Sequence, residues 1–525
     1  MPALRRRDFL KVAGLATGAT FPWPVSSLLA SQLNQQPSFN GNLGAYGLLE
    51  CADPKLWSAL ARSRAGILSC TVNDQTHCAD AGRYWGTDSV LNDLYFGLYG
   101  GLFIGGEDQH EIFRNELRKI GKHVKSSLHH PPVPWSVSAD GRHPNFNPDP
   151  GYDLDRSAEF VLEVVRAYEV TGDRQFASDL YPKCLEVLES LAARDLDGDF
   201  LPEGRTQAFP GPIRPGGCAC SSVTYIGDTS ANAWKDFGAA MFTYEALRRM
   251  GLLENVLGKK DAANQHLQQA ARLRETIRKV FWNPDSEGFL AWVEKNGTAH
   301  ADWITGNNLH AIACGLAEPQ QSALILKKLN RHRAELEDIV PCRVRIGLFA
   351  EGLCSNRPDY YWNGGIWTLV AAPDMRARAK MKDLAGALRV AWLLATQAKV
   401  TDVGFFEAYD GKTGEPNDCR GLLMNNGGFL WGFFEAVLGI EFEGDELRFR
   451  SSLPEGIAPA RVRLHYRGAD IEVFWKSGSK PAAHLDQANI TPNQEGYYSF
   501  RFSPVPKQTY LLEITIKEKP HGEQF

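Results

Sequence analysis

Apolar residues recur with a helical period along the first four-fifths of the chain. Between residues 154 and 170 they fall every three or four positions, and the pattern stops at Thr171-Gly172-Asp173, which is typical of a helix end. The same spacing predicts further helices at 175–193, 231–250, 258–281, 307–316, 319–335, 376–397 and 424–438. Antiparallel helix pairs are the simplest packing for such a series. The long Gly- and Pro-rich segments 124–153 and 200–229 are expected to carry function, since long loops in compact domains usually do.

The period changes after Gly439. Short runs such as 447–450 and 471–475 alternate between apolar and polar residues, with turn residues between them, as in an antiparallel β-sandwich. The chain is therefore predicted to be mainly α, with a small C-terminal antiparallel β domain. The predicted boundaries are an N-terminal lead-in at 31–79, a helical domain at 80–439, a sandwich-like domain at 440–517 and a tail at 518–525.

The N-terminus carries an export pattern. Positions 6–11 read Arg-Arg-Asp-Phe-Leu-Lys and precede a weakly apolar stretch, 12–21, which together match the bacterial twin-arginine signal. Cleavage near Ala30 would remove a signal peptide at 1–30, although the site is a poor small-x-small sequence. We expect a periplasmic or secreted protein that is exported already folded. No later run of about 20 apolar residues follows, so stable membrane insertion is not expected.

The composition limits the kinds of molecule that the protein is expected to bind. The chain has 57 Lys+Arg against 62 Asp+Glu, a net charge of −5, and lacks a long basic block, which argues against nucleic acid as a partner. Its 13 Trp, 16 Tyr and 27 Phe suit either a core or the stacking faces that bind sugar rings.

The ten cysteines do not form a recognisable framework. No C-x-x-C pair occurs, and Cys184 and Cys314 sit inside apolar helical patterns, where buried free thiols are expected. A zinc site built from Cys218, Cys220 and a distant histidine lacks the usual ligand spacing. His129-His130 is a second weak metal candidate. No metal site and no cofactor are predicted.

The segment 160–204 introduces a family resemblance. It contains Phe-Val-Leu from residue 160, Thr-Gly-Asp from 171, Tyr-Pro from 181 and Asp-Leu-Asp-Gly-Asp from 195. This order resembles the six-hairpin (α/α)6 glycosidases, most closely the non-lysosomal glucosylceramidases and related β-glucosidases. The resemblance implies that 80–439 is an (α/α)6 catalytic barrel. A calcium loop is the competing interpretation of Asp195, Asp197 and Asp199, but the glycine comes too early and the closing Glu is missing. A tight turn is therefore favoured.

Asp228 is the candidate catalytic acid. It lies in Thr224-Tyr-Ile-Gly-Asp228, and the resembling family has a Thr-Tyr-Asp loop with the acid/base ahead of a helix, one or two positions earlier. Cleaving a glycosidic bond requires a carboxylic acid that protonates the leaving oxygen. The structural alternative is that Asp228 caps the helix predicted at 231–250. Asp236 is the second candidate for the acid.

Glu407 is the second candidate carboxylate. The segment Gly404-Phe-Phe-Glu407-Ala-Tyr409-Asp-Gly-Lys-Thr-Gly414 is similar to a segment of the trehalase, mannosylglycerate hydrolase and processing α-glucosidase group. In that group the Glu is the general base that activates water, whereas in glucosylceramidase-like relatives a Glu in this region holds sugar hydroxyls. A salt-bridged Glu407 at the rim is the structural alternative.

Three further segments supply candidate sugar contacts. The segment 84–97 has no Glu where the glucosylceramidase-like relatives place their nucleophile, so Asp88 would have to substitute in a retaining reaction. The segment 360–367, Tyr-Tyr-Trp-Asn-Gly-Gly-Ile-Trp, resembles the inner end of a barrel helix in these relatives, and Ala-Asp-Trp at 301–303 resembles a barrel loop. The predicted substrate-binding residues are Trp85, Asp88, Asp93, Asp302, Trp303, Trp362, Asn363 and Tyr409.

The sequence therefore predicts a glycoside hydrolase that cleaves a glucosyl-type bond of an oligosaccharide or glycoside with Asp228 and Glu407. Inversion requires the carboxyl groups to lie about 6.5–9.5 Å apart and retention about 5–5.5 Å, and both remain open. Two other classes also remain open: a non-catalytic carbohydrate-binding barrel, and a polysaccharide lyase on the same fold. The chain has no G-x-S-x-G elbow, phosphate-binding glycine loop or dinucleotide fingerprint.

Overall fold

The structure is a computed structural model. It describes residues 46–47, 50–51, 53–72, 75–79, 89–127, 130–146, 154–204, 234–336, 340–351, 353–354, 356–478, 482–486, 488–501 and 508–517. Several residues singled out in the sequence lie outside these ranges: the signal peptide at 1–30, Trp85 and Asp88, His129, Cys218 and Cys220, Asp228, and the tail at 518–525.

Twelve helices fill the described part of the chain up to residue 437. They are α1 (Pro54–Cys70), α2 (Leu91–Ile104), α3 (Glu107–Gly121), α4 (Leu154–Thr171), α5 (Arg174–Ala192), α6 (Phe237–Val256), α7 (Lys260–Phe281), α8 (Thr305–Ala313), α9 (Pro319–Leu336), α10 (Ala371–Lys380), α11 (Leu384–Gln397) and α12 (Leu423–Gly432). A 3₁₀ turn, Thr368–Val370, precedes α10, and a π-helical turn, Phe433–Val437, extends α12.

The helices alternate between an inner and an outer position. Every residue of α4 from 154 to 170 is buried, and α2, α6, α8, α10 and α12 are likewise buried along nearly all of their described length. The odd-numbered helices bury one stripe only, as α7 does with residues spaced from Ala263 to Phe281. The inner helices contact one another in chain order, and α12 contacts α2. At that last contact a Cβ on Gly100 would lie 2.4 Å from the Gly427 carbonyl oxygen, so the two helices need glycine there.

The connections differ sharply between the two ends of the helices. A long segment separates each outer helix from the next inner helix, at 71–90, 122–153, 193–236, 282–304, 337–370 and 398–422, and parts of these segments lie outside the described residues. Short links at 105–106, 172–173, 257–259, 314–318 and 381–383 return from inner to outer helices. The long loops therefore all lead to the N-terminal ends of the inner helices.

Two-residue strands stiffen these loops. They are Thr71–Val72, Gln75–Thr76, Ser89–Val90, Ser136–Val137, Pro144–Asn145, Lys235–Asp236, Trp282–Asn283, Gly288–Phe289, Trp292–Val293, Ala299–His300, Trp303–Ile304, Arg345–Ile346, Val400–Thr401 and Gly404–Phe405.

The predicted helices are found, with three differences. The segment 376–397 forms two helices, because the chain turns through Lys382 at φ +64° and Asp383 caps α11 on the Gly386 N–H. The helix predicted at 231–250 begins later, at Phe237, and its N-cap is Asp236, which accepts from the Ala239 N–H at 2.8 Å. The cap role that the sequence left open for Asp228 thus belongs to Asp236. The sequence pattern also gave no sign of α1, α2 and α3, of which α1 lies inside the predicted lead-in.

The C-terminal strands form two sheets. They are β2 (Ile440–Glu443), β3 (Glu446–Arg450), β4 (Ala460–Tyr466), β5 (Ala469–Gly478), β6 (Ala482–Leu485), β7 (Ala488–Ile490), β8 (Tyr497–Phe500) and β9 (Thr509–Lys517), with β1 (Glu50–Cys51) joining from the N-terminal side. One sheet has the order β1-β4-β5-β9-β6-β7 and the other β2-β3-β8.

The prediction of a wholly antiparallel β domain is wrong at one pair. β5 and β9 run parallel over nine residue pairs, from Asp470↔Thr509 to Gly478↔Lys517. A parallel pair needs a crossover connection, and the segment between the two strands, which contains β6, β7 and β8, provides it. The described pairs in the two sheets are otherwise antiparallel.

Among the described residues, the helices are all too short or too polar to cross a membrane.

Candidate active site

The predicted site residues share one end of the helical region. Asp302 and Trp303 lie on the loop into α8, Trp362 and Asn363 on the loop into α10, and Glu407 with Tyr409 on the loop into α12. Asp93 lies in the first turn of α2. Trp85, Asp88 and Asp228 lie outside the described residues. The described site residues thus all lie on a loop before an inner helix or in its first turn.

A backbone ladder joins three of these loops. Trp303–Ile304 pairs with Arg345–Ile346, and the Val344 N–H donates to the Gly365 carbonyl at 3.0 Å. Ile366 and Tyr409 then exchange two backbone hydrogen bonds of 2.9 Å. The loops that carry Trp303, Trp362 and Glu407 are therefore held in a fixed register rather than as independent segments.

Glu407 is a buried carboxylate with two donors at its oxygens. Its residue exposure is 1%, the Tyr361 hydroxyl donates to Oε1 at 3.0 Å, and the Cys419 thiol donates to Oε2 at 3.3 Å. A salt bridge at an exposed rim, the structural alternative, does not describe this environment. These two donors fix the orientation of the Glu407 carboxyl group.

Asn425 fixes the backbone on either side of Glu407. Its side-chain amide, fully buried in the first turn of α12, donates to the carbonyls of Phe406 at 2.6 Å and Glu407 at 2.7 Å. The Glu407 N–H donates to the Cys419 carbonyl at 2.7 Å. These three hydrogen bonds fix the backbone at Phe406 and Glu407, and the fixed backbone positions the Glu407 side chain.

Tyr361 adopts a backbone conformation that is rare for its residue type. Its φ is +51°, in the left-handed region, and its ring packs edge-on against Trp367 at 4.9 Å. Strained backbone held by surrounding packing is concentrated at functional sites. Here the strain aims the Tyr361 hydroxyl at Glu407.

Trp362, Asn363 and Tyr409 help to build the loop walls. Trp362 is 4% exposed and stacks on Trp367 at 4.4 Å. The Asn363 amide accepts from the Phe349 N–H at 3.0 Å and donates to the Asn356 carbonyl at 3.0 Å. The Tyr409 hydroxyl donates to the Lys399 carbonyl at 2.7 Å, and burial raises the pKa of this phenol.

Asp302 and Trp303 form a second polar corner. Asp302 accepts from Arg345 at 2.7 Å, and the Arg345 guanidinium lies 3.7 Å from the centre of the Phe349 ring. Burial lowers the pKa of Arg345, while Asp302 opposes that shift. The Trp303 indole donates to the Glu287 carbonyl at 3.3 Å, and its ring is 3% exposed.

Asp93 is buried, with 3% exposure, at the start of α2. Asp236, the second candidate acid, is 2% exposed and caps α6 as described above.

The aspartate-rich turn at 195–199 is a tight turn, as favoured from the sequence. Asp195 accepts from the N–H groups of Gly198 at 2.8 Å and Phe200 at 3.0 Å. The Lys235 ammonium bridges Asp197 at 2.6 Å and Asp199 at 2.5 Å, where a cation would otherwise bind. The neighbouring Glu203 is buried, and burial raises its pKa to about 7.

Seven of the eight cysteines in the described part of the chain are buried, and Cys184 and Cys314 among them are free thiols. This confirms the prediction for Cys184 and Cys314. Sequence reasoning nevertheless missed Cys419 as a donor to Glu407, along with Tyr361 and Asn425. Tyr361 lies inside the motif that was singled out for Trp362, whereas no local signal marks Cys419 or Asn425.

Comparison with known proteins shows a similarity of part of the chain to glycoside hydrolases. Residues 223–431 match the model of the mannosylglycerate hydrolase MGH1-like glycoside hydrolase domain, a range that includes Asp228 and Glu407. The fold is similar to the GH78 family rhamnosidase of Bacillus sp. GL1, with a TM-score of 0.57 and 14% identity, over 91% of this chain and 44% of that one. It is also similar to the GH63 mannosylglycerate hydrolase of Thermus thermophilus in complex with glucose, with a TM-score of 0.52 and 15% identity, over 70% of this chain and 99% of that one.

A different similarity covers a shorter stretch. The symmetrical bis(5'-nucleosyl)-tetraphosphatase of Pseudomonas syringae pv. syringae (strain B728a) is 25% identical over 212 residues, 35% of this chain and 68% of that protein. The similar structures are 14% and 15% identical to this chain and show a shared fold. The family model indicates the class of enzyme, a glycoside hydrolase. The predicted resemblance to the (α/α)6 glycosidase group is confirmed: residues 223–431 match an MGH1-like glycoside hydrolase domain, and a GH63 mannosylglycerate hydrolase has a similar fold.

Proposed function

We propose that the protein hydrolyses a glucosyl-type O-glycosidic bond with inversion, with Asp228 as general acid and Glu407 as general base. The observation that carries the proposal is the Glu407 carboxylate, buried and held by the Tyr361 hydroxyl and the Cys419 thiol on a loop of the matched family domain. The GH63 mannosylglycerate hydrolase with a similar fold binds glucose in its crystal structure, which supports a hexosyl substrate.

The chemistry follows from the charge states of two carboxyl groups. Asp228 would donate a proton to the leaving oxygen as the bond to the anomeric carbon breaks. Glu407 would accept a proton from the water that attacks the opposite face of the sugar ring. The fixed donors on Glu407 orient it before the reaction, so little further reorganisation is needed in the transition state.

We further propose that the helical region is an (α/α)6 barrel. Six inner helices contact one another in chain order, with α12 against α2, and six outer helices alternate with them. The long loops at the N-terminal ends of the inner helices would then line its mouth, where an extended glycoside can enter.

The first experiment identifies the substrate and the stereochemistry. The full chain is incubated with chromogenic α- and β-glycosides and with mannosylglycerate, and the first-formed anomer is followed by proton NMR. Inversion of the anomeric centre is expected. Retention would refute Glu407 as a water-activating base, and an absorbing unsaturated product from uronic-acid polymers would indicate a lyase instead. Symmetrical dinucleoside tetraphosphates serve as a substrate class that should remain intact.

Variants then test the two residues on the identified substrate. Glu407→Gln and Asp228→Asn should each lower kcat by about 10²–10⁴-fold, the usual contribution of a general acid or base. Glu415→Gln is the matched control, because Glu415 lies on the same loop but is exposed and pairs with Lys399. If Glu407→Gln retained activity similar to that of Glu415→Gln, the assignment of the base would be wrong. Sugar binding without turnover by the wild type would favour a carbohydrate-binding protein.

We also propose export by the twin-arginine route to the periplasm or beyond. The support is the Arg-Arg-Asp-Phe-Leu-Lys pattern at positions 6–11. Replacing both consecutive arginines, Arg6→Lys and Arg7→Lys, should retain the protein in the cytoplasm when fractions are compared by immunoblot. Unchanged export of the double variant would refute this proposal.

A further inference from the structure

A polar cluster lies where the N-terminus of α3 meets the β domain, away from the candidate active site in the chain. Glu107 is the first residue of α3, His110 lies one turn later, and His465 comes from β4. One ligand atom from each residue lies within 4.8 Å of the other two. Helical spacing places Glu107 and His110 on one face, and the β domain supplies the third member.

The hydrogen bonds fix which histidine nitrogens carry protons. His110 Nε2 lies 3.1 Å from the Leu102 carbonyl oxygen, which can only accept, so this nitrogen holds the proton and Nδ1 keeps its lone pair. His465 Nδ1 lies 2.9 Å from Asp470 Oδ1, so in the neutral ring Nε2 keeps the lone pair. In each ring, one nitrogen is held by an orienting acceptor, the Leu102 carbonyl or the Asp470 carboxylate, and the other nitrogen keeps its lone pair.

The three acceptor atoms, His110 Nδ1, His465 Nε2 and Glu107 Oε2, belong to one cluster, and a single proton cannot satisfy all of them. His465 Nε2 lies 3.3 Å from Glu107 Oε2, and His110, fully buried, has no hydrogen-bond partner at Nδ1 among the described residues. A proton on His465 would satisfy Glu107 but leave His110 Nδ1 as a buried acceptor without a partner, which is costly. A single cation with three coordination positions would satisfy every member.

We propose that Glu107, His110 and His465 bind a divalent transition-metal ion, Zn²⁺ in particular, and thereby clamp the helical region to the β domain. Two imidazoles and one carboxylate are a recurrent ligand set for Zn²⁺. Metal-binding histidines almost always donate their other N–H to a carboxylate or backbone carbonyl, as His465 does to Asp470 and His110 to Leu102. The proposal is independent of the hydrolase assignment.

The neighbouring charged side chains leave the site accessible to solvent and leave one oxygen of Glu107 available to the ion. The Glu107 side chain is 53% exposed, so an ion can enter from solvent and keep a water as its fourth ligand. Arg114 pairs with Glu107 Oε1 and leaves Oε2 for the metal. Arg463 pairs with Asp470 Oδ2, while Oδ1 stays on the His465 ring.

The test measures zinc binding by the full chain after dialysis against a chelator. Titration with ZnCl₂ against a chromophoric chelator should give one Zn²⁺ per chain and raise Tm in a thermal scan. Glu107→Gln and His465→Gln should each weaken binding at least about 10-fold, and Asp470→Asn about 10- to 100-fold, as for other groups that orient a ligand. Glu107 is exposed, so its variant tests the site even if a histidine variant fails to fold.

Two controls make the result specific. His266→Gln removes a histidine that contacts Glu254 at 2.8 Å in a different helix pair, and it should leave zinc binding unchanged. Co²⁺ in place of Zn²⁺ should give visible bands without a thiolate charge-transfer band. Absence of stoichiometric zinc binding would overturn the proposal, as would undiminished binding by Glu107→Gln and His465→Gln. A thiolate band would also overturn it, because it would place the ion at a cysteine-containing cluster instead, either Glu245, His310 and Cys314 or Glu407, Asp418 and Cys419.

Discussion

The hydrogen bond from Tyr361 to Glu407 gives the sharpest test of the candidate active site. Tyr361→Phe removes one oxygen, keeps the ring against Trp367 and leaves the backbone unchanged. A hydrogen bond to a charged group contributes about 1.5–3 kcal/mol. If Glu407 acts in the chemical step, losing this bond should lower kcat by about 10- to 100-fold, since each 1.36 kcal/mol corresponds to about a tenfold change.

The expected pattern separates catalysis from stability. kcat should fall while KM changes little, because the contact orients the base rather than the sugar. Tyr497→Phe is the matched control: it removes a hydroxyl that donates to the Glu441 carboxylate at 2.7 Å in the β domain. Both variants should unfold at slightly lower denaturant concentration, but only Tyr361→Phe should lose turnover. Equal kcat in the two folded variants would refute the role of the Tyr361–Glu407 contact.

Three further predictions concern the supports of this site. Cys419→Ser should keep most of the turnover, because a hydroxyl can still donate to Glu407. Cys419→Ala should lower kcat up to about tenfold, and steady-state kinetics of the two variants checks this difference. Asn425→Ala should leave two buried carbonyls unpaired, cost about 3 kcal/mol in urea unfolding and lower kcat more than it changes KM. Glu203, whose pKa burial raises from 4.5 to about 7, stabilises the fold only while protonated, so its contribution is complete below about pH 4.5 and is lost as pH rises through 7. Glu203→Gln should abolish this loss, at most about 3 kcal/mol between pH 5 and 8 in denaturant titrations, and an unchanged pH slope would contradict the assignment.

A polar face made some helices easy to predict, although the buried α4 and α12 were also predicted and the amphipathic α3 was not. α5 and α7 face solvent on one side, so their apolar stripes are visible in the sequence. α2 reads Leu-Asn-Asp-Leu-Tyr-Phe-Gly-Leu-Tyr-Gly-Gly-Leu-Phe-Ile, and its apolar residues lie on every side. α2 therefore has little amphipathic period to detect, and its three glycines resemble loop residues until the close contact with α12 explains Gly100.

Some residues of the candidate site could likewise be predicted from the sequence and others could not. Glu407 could be chosen because its neighbours form a recognisable segment. Asn425 could not, because its partners lie 18 and 19 residues away and only the fold brings the amide to them. His465 and Glu107 are 358 residues apart, and each is an ordinary polar residue in its own segment. Contacts of this kind become visible only when two elements are packed together.

The position of the candidate carboxylates follows from the direction of the helices. The N-terminus of an α-helix carries unpaired N–H groups and the positive end of its dipole, and it therefore stabilises anions nearby. Each long loop of this chain enters an inner helix at its N-terminal end. Glu407 lies on the loop that enters α12, on the side of that helix where the dipole favours an anion, whereas carbonyl groups at the opposite end would oppose one. The short links at that opposite end leave little room for a site, and the acidic and aromatic motifs are accordingly confined to the loops that precede the inner helices.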